Sequence, residues 1–310
     1  MNFTLHQLKI FTTIVEKNSI TKAANTLNMT QPAASIQLKN FQNQFEIPLS
    51  EIIGKQFYVT EFGREIYDKA TEILKKTDEI KYKTAAFKGL LSGKLSLSVV
   101  STGNYVIPYF LNGFLKKHPK VELVLDVSNK AKVVKDLEQN LVDFSLVTVT
   151  PKHLDLLELP IMENKLVLVA SKNSELTKRK GESILKSTPL IFREEGSGTR
   201  HTMQQFFKKE KILPKIKLEL TSNEAIKQAV VAGIGASIVS LLSIKNELQQ
   251  KEIKIIPAKG LPLKSDWKLI YLKNKKLSPV AIAFLNYVKT EKENVIKNDY
   301  GWLKTLDIKG

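Results

Sequence analysis

The sequence predicts two unlike parts. The first is an N-terminal all-α helix-turn-helix unit that ends in a long helix, and the second is a C-terminal α/β unit of two lobes. Three observations carry this. Apolar residues up to Phe45 recur at spacings of three and four, residues about 61–90 read as helix without a proline, and strand-like runs alternate with helical ones from Gly93 to about Lys289. At 310 residues the chain is too long for one small core and suits two or three domains. Apolar residues at 43% and charged ones at 25% are ordinary for a globular protein, which excludes disordered and collagen-like classes. No stretch approaches the roughly eighteen uninterrupted apolar residues of a membrane span. Residues 1–17 mix His6, Lys9 and Glu16 among their apolar positions and hold no signal-peptide core. With no cysteine there is neither a disulfide nor a thiolate site. A cytoplasmic protein without cofactor, metal or membrane partner is expected.

In the first helix Leu5, Leu8, Phe11 and Val15 share one face. Ser19 suits the N-cap of a second, short helix, whose Ala23, Ala24 and Leu27 permit close helix approach before Asn28 stops it. Thr30 caps a third helix, and Pro32 fits its first turn, where a missing N–H removes no internal bond. Ala34, Leu38, Phe41 and Phe45 form the buried stripe of that helix, leaving Gln31, Pro32, Ser35, Ile36 and Lys39 opposite. Gln and Ser at a helix start can hydrogen-bond base edges, and the free N–H groups there favour a phosphate. A plain three-helix cap facing water fits the same pattern equally well.

Ile66, Ala70, Ile73, Thr77, Ile80, Thr84 and Phe87 follow with alternating gaps of four and three, a 3.5-residue seam. One helix over 62–89 would reach about 42 Å. A coiled coil and an amphipathic helix packed on its own domain both satisfy the spacing.

In the C-terminal block KLSLSVVS (94–101), VELVLDV (121–127) and DFSLVTV (143–149) read as strands, with helical runs near 105–117 and 131–140 between them. Such alternation argues βαβ units and a largely parallel sheet. LIFRE (190–194), KIKLELTS (215–222) and ASIVS (236–240) form a second set, and WKLIYLK (267–273) with a helix over 278–289 returns to the first. Crossing strands near 165–170 and 264–268 would join lobe I (about 92–164 and 269–290) to lobe II (about 165–268), an arrangement that resembles periplasmic-binding-protein folds. The charged tail, 291–310, carries Tyr300, Trp302 and Leu303, whose docking the pattern leaves open.

Ligands of open α/β sheets bind beyond the carboxyl ends of strands. Here those ends carry Ser101 with Thr102, Thr148 with Thr150, and Ser222 with Asn223. A fourth, Glu194 to Arg200, is a glycine loop entering a helix. There the Gly198 backbone, the Thr199 hydroxyl and Arg200 as countercharge would make an anion site. Each Ser or Thr taken singly is equally a helix cap.

Net charge is +17, yet residues 1–91 hold 12 basic against 9 acidic side chains and residues 92–310 hold 36 against 22. Most of the excess therefore lies outside the helix-turn-helix. Catalysis finds no support. The four histidines, His6, His118, His153 and His201, are scattered, and zinc-protease, nucleophile-elbow and phosphate-loop patterns are absent. Gly233-Ile234-Gly235 follows a helix rather than opening one, unlike a dinucleotide fingerprint.

SITKAANTLNMTQPAASIQLKNFQNQFEIPL (19–49) resembles the winged helix-turn-helix of LysR-type transcriptional regulators, matching at Ser19, Ala23, Ala24, Leu27, Thr30, Gln31, Pro32, Ala33, Ser35 and Leu49. The order of the remaining blocks fits that family over essentially the whole chain. The resemblance implies a winged helix-turn-helix at 1–60, a linker helix at 61–91 that pairs subunits through the seam, and an effector domain at 92–290. It implies duplex DNA as partner, contacted by Ser19, Thr21, Thr30, Gln31, Pro32, Ala33, Ser35, Ile36, Lys39 and Lys55. A homodimer or homotetramer follows from it, and contact with RNA polymerase is left open. The effector would sit between the lobes at Ser101, Thr102, Thr148, Gly198, Thr199, Arg200 and Asn223. Ser50, Glu51 and Ile52 stand where the family has Phe-x-Arg, so phosphate contacts by the wing are in doubt. REEGSGTR (193–200) is similar to members that control carbon fixation or sulphur assimilation, whose effectors are small anions. The rival reading is a solute-binding receptor without a transcriptional role.

Overall fold

The computed structural model describes residues 2–54, 56–87, 91–178 and 184–304, with side chains at all of these but 78–79, 81–87, 177–178 and 304. It forms two compact units, Met1–Leu90 and Leu91–Gly310.

The first unit contains α1 (Leu5–Lys17), α2 (Ile20–Thr26), α3 (Gln31–Gln42), β1 (Ser50–Ile53), β2 (Gln56–Val59) and α4 (Glu61–Phe87). Thr4 opens α1 with a reciprocal capping box to Gln7, and Asn18 closes it in the left-handed region at φ 47°. The core gathers Phe11, Ile14, Ala23, Phe41 and Leu49, all fully buried. Leu5, expected on the buried stripe, is instead 50% exposed. Every residue of α1 from Ile10 to Val15 is buried, so the apolar face is wider than the spacing suggested and rotates away from Leu5. β1 and β2 pair antiparallel from Ser50↔Val59 to Ile53↔Gln56, with Gly54 at φ +57° in the turn, and form the expected wing.

α4 starts where Thr60 Oγ1 accepts from the Gly63 N–H at 2.9 Å while donating to the Pro48 carbonyl at 2.7 Å. Gly63 is obligatory for packing, since a Cβ there would sit 1.8 Å from the Leu49 carbonyl oxygen. The first part of the seam is used within the unit. Ala70 is buried and Ile66 half-buried in its core, whereas Ile73 and Ile80 are exposed at 40% and 66%. Thr77 donates its hydroxyl to the Leu74 carbonyl. The side chains of Thr84 and Phe87 lie outside the described residues.

The second unit runs β3 (Gly93–Val100), α5 (Ile107–Lys117), β4 (Val121–Ser128), α6 (Lys130–Glu138), β5 (Phe144–Val147), β6 (Leu156–Ser171), α7 (Ile184–Ser187), β7 (Pro189–Arg193), α8 (Gly198–Lys209), β8 (Lys215–Leu220), α9 (Asn223–Val231), β9 (Ser237–Ser240), α10 (Lys245–Gln249), β10 (Ile253–Ile255), β11 (Leu263–Leu272) and α11 (Pro279–Asp299). β3 pairs parallel with β4 and β5, and β7 pairs parallel with β8. The long strands β6 and β11 pass between the lobes and pair antiparallel with each other along their length. The sheet is therefore mixed rather than largely parallel. β11 is the return strand, so it must run against β5 on one side and β6 on the other. β9 and β10 then flank β6 antiparallel in lobe II.

Lobe I closes over Phe110, Phe144, Trp267 and Phe284, and lobe II over Leu168, Phe192 and Ile238. The tail docks. α11 continues to Asp299, the Tyr300 hydroxyl donates to the Tyr105 carbonyl at 2.8 Å, and Trp302 and Leu303 pack against core residues of both lobes.

Gly63→Ala is expected to displace the wing and lower the melting temperature of the N-terminal unit while the C-terminal unit keeps its own unfolding transition. Calorimetric thermal unfolding checks this.

Candidate functional site

In the N-terminal unit the polar residues singled out above converge. Ser19 caps α2 by accepting from the Lys22 N–H at 3.3 Å, and Thr30 caps α3 by accepting from the Ala33 N–H at 3.4 Å. Both hydroxyls thus satisfy helix ends. Thr21, Gln31, Pro32, Ile36 and Lys39 are exposed, and Ala33 and Ser35 are half-buried. Asn18, Ser19, Ile20, Thr21, Gln31, Ile52, Gln56 and Phe57 line one concavity of about 450 Å³, which places Gln31 beside the wing. Ile36 is 58% exposed on the same helix, and Ile52 and Ile53 stand out from the wing at 65% and 60%. Among the described residues this wing offers apolar side chains where a basic one was looked for. Lys55 lies outside the described residues.

In the second unit the carboxyl ends of β3 and β5 from lobe I face those of β7 and β8 from lobe II. Ser101 follows β3, and its Oγ accepts from Arg193 Nη2 at 3.2 Å and from Asn223 Nδ2 at 3.4 Å. Thr148 follows β5, and its Oγ1 lies 3.8 Å from where a Gly198 Cβ would stand. Thr102 is buried and Thr199 half-buried at the start of α8. Ser101 with Asn223, and Thr148 with Gly198, therefore meet in two pairs across the lobes. Ser197 and Ser222 cap α8 and α9, accepting from the Arg200 and Ala225 N–H groups. The N-termini of both helices are at this junction.

Arg200 does not supply the countercharge there. Its guanidinium donates to the Arg193 carbonyl at 2.8 Å and pairs closely with Glu219, because α8 directs residue 200 back toward β7 and β8. Arg193 is the cation at the junction. Its side chain is 3% exposed and is held by Glu194, by Asn223 Oδ1 and by Ser101. Sequence reasoning passed over it, although a basic residue closing an apolar strand and followed by an acid, LIFRE, was a usable signal. Lys227 adds a second link between lobes. It pairs with Glu224 and Glu247, and lies 6.0 Å from the Tyr105 ring of lobe I. Burial alone would lower its pKa, but the two carboxylates outweigh burial and raise it.

Arg193→Lys keeps the charge and loses the fork, leaving Asn223 and Ser101 short of donors. It should destabilise the C-terminal unit by about 1–3 kcal/mol, read by chemical denaturation.

Comparison with known proteins agrees with this layout. Residues 5–64 match the family described as bacterial regulatory helix-turn-helix protein, lysR family, and residues 88–293 match the LysR substrate binding domain. The chain is 38% identical over 296 residues to the HTH-type transcriptional activator CmpR of Synechocystis sp., covering 95% of this chain and 97% of that protein. It is 35% identical to the RuBisCO operon transcriptional regulator of Allochromatium vinosum, covering 94% and 97%. Among solved structures, the Synechocystis CcmR regulatory domain in complex with 2-PG aligns with a TM-score of 0.62 at 33% identity, over 66% of this chain and 99% of that one. Full-length CbnR complexed with its target DNA aligns with a TM-score of 0.67 at 22% identity, over 93% and 99%, a likeness of fold. These relatives regulate transcription.

Proposed function

The chain belongs to the LysR family of transcriptional regulators, and from that premise we propose how its residues divide the work. Residues 1–60 read duplex DNA, 61–91 pair two subunits, and 92–290 respond to a small anion held between the lobes. The protein acts in the cytoplasm, where its DNA is.

Gln31 and Ser35 supply hydrogen bonds to base edges, and Ile36 offers its side chain to a thymine methyl. Lys39 and Lys55 neutralise phosphates. The wing, with Ile52 and Ile53 exposed, contributes contact area more than charge. Pairing uses the part of α4 beyond Ala70, where Ile73 and Ile80 are exposed; two such helices would cover them and set two recognition helices on one operator. Dimers pair further into a tetramer.

For the effector, the single observation that carries the reading is the meeting of Ser101, Arg193 and Asn223 with the starts of α8 and α9. The anion would compete with Ser101 and Asn223 for the N–H groups of Arg193, and receive the Thr199 hydroxyl and the Gly198 N–H. Arg193 and Glu194 form an internally neutral pair, so a ligand gains most from a directed set of donors. The complex of the Synechocystis relative with 2-PG, named here as 2-phosphoglycolate, supports a phosphorylated acid as the class. Ligand contacts that differ between lobe arrangements then bias the half-site spacing of the oligomer.

Gln31→Ala and Ser35→Ala are each expected to weaken binding to the specific operator by about 1–3 kcal/mol, with non-specific binding little changed. Competition gel shifts at fixed salt measure it, and equal operator affinity would remove the recognition role.

Ser101→Ala and Thr199→Ala should each weaken 2-phosphoglycolate binding by about tenfold while DNA affinity in its absence stays intact. Calorimetric titration with phosphorylated, sulphur-oxyanion, carboxylate and neutral metabolites decides the class. Binding by neutral compounds alone would overturn the anion reading.

A further inference from the structure

A second, larger cavity of about 900 Å³ opens beside the glycine loop of lobe II. Lys130, Ala131 and Val134 of α6, Val149 to His153 after β5, and Glu195, Gly196, Ser197, Arg200, His201, Gln204 and Gln205 line it. Ser101, Thr102, Thr148, Gly198, Thr199 and Asn223 do not. The loop is close to lobe I at two places. A Cβ on Gly196 would meet the Ala131 Cβ at 3.4 Å, and one on Gly198 would meet Thr148. The lining of this cavity thus belongs to the Lys130 side of the loop, and Ser101 with Asn223 belongs to the other.

Its charge is unbalanced. Lys130 is half-buried, and among the described residues it makes no ion pair or hydrogen bond. Burial holds its pKa below the usual lysine value. His201 shares the cavity, and burial followed by the charge of Lys130 lowers its pKa as well. Arg200, on the same wall, has a buried Nε without a hydrogen-bond partner. Lys152 adds a second lysine. Against these stand Glu219, which pairs closely with Arg200, and Glu195, whose carboxylate is 86% exposed and leans to Arg200 at 3.5 Å; His153 is engaged with Glu138. Val134, Val149 and Pro151 supply an apolar wall, and the amides of Gln204 and Gln205 supply donors and acceptors.

We infer that this cavity is a second ligand site, for a metabolite bearing a phosphate or carboxylate group that Lys130 and His201 hold. A partly desolvated lysine without a counterion is unfavourable by itself, and an anion arriving beside it removes that cost. The same anion raises the affinity of His201 for a proton, so binding takes up a proton and strengthens as pH falls. The Gly196–Ser197 loop borders this cavity and leads directly into Gly198 and Thr199. The inference does not need the first site to hold an anion.

Only four histidines occur in the chain, so ring-labelled histidine in the full-length protein gives four resolvable signals. Inorganic phosphate and citrate are the probes, titrated near pH 6.5 against chloride at equal ionic strength. His201 is expected to shift saturably with phosphate, citrate or both, while His6 and His118 stay still. The His118 ring, against Phe114 at 4.8 Å, also reports that each variant is folded. Lys130→Met should weaken the His201 midpoint by about tenfold, and Lys130→Arg should retain it. Asn223→Ala should leave it within about twofold, which separates this site from the first. Phosphate saturating alone identifies a phosphate ligand, and citrate alone a carboxylate. An equal response to chloride, a midpoint indifferent to Lys130→Met, or loss of the response in Asn223→Ala would each overturn the second site.

Discussion

A guanidinium buried to 3% exposure must be satisfied on every side, and that requirement on Arg193 organises the C-terminal unit. Its five N–H groups radiate in a plane, so acceptors must come from several directions at fixed angles. Glu194 is the next residue, just past the end of the strand, Asn223 comes from the start of α9, and Ser101 from the other lobe. Satisfying one side chain thus brings three strand ends to one point. The helix starts follow, because α8 and α9 begin within a few residues of those strand ends. A binding junction and a structural tie are here the same set of atoms.

Much of this was legible in the sequence. Caps at Ser19 and Thr30 fell where the side chains suggested, because capping is local chemistry that needs no knowledge of the fold. The alternation of strand and helix was legible for the same reason. What escaped was the direction of long side chains. Arg200 closes the segment singled out as an anion loop and Arg193 immediately precedes it, yet packing against β8 turned the first inward and left the second at the junction. Spacing cannot distinguish those outcomes, since each depends on which acceptor a distant strand delivers. Leu5 and the breadth of the α1 core show the same limit, because burial of Ile10 and Ile14 is fixed by α3 and α4 packing around them.

The two units also divide the electrostatics in an unexpected way. The reading head carries a net charge of +3 over residues 1–91, and its wing exposes isoleucines. A nearly neutral head gains little from the phosphate backbone, so discrimination among sequences weighs more in its total affinity. The basic surplus, +14 over residues 92–310, belongs to the part with no part in base reading. It acts on approach and solubility instead.

β6 and β11 stay paired from Leu166↔Leu263 to Leu156↔Leu272, straight through the boundary between the lobes. At that boundary buried Asn164 accepts from the Ser240 hydroxyl at 2.7 Å and donates to the Ser265 hydroxyl at 3.4 Å, and the register slips once between Trp267 and Lys268. A joint of this kind has stiffness. Two cross-linked strands resist separation but yield to twist, and a bulge is where a ladder twists most readily. Lobe movement about this joint would be a small torsion that leaves the backbone bonds intact, with the ladder exerting a restoring torque. Departure of a ligand would then return the lobes to their starting angle with no separate resetting step.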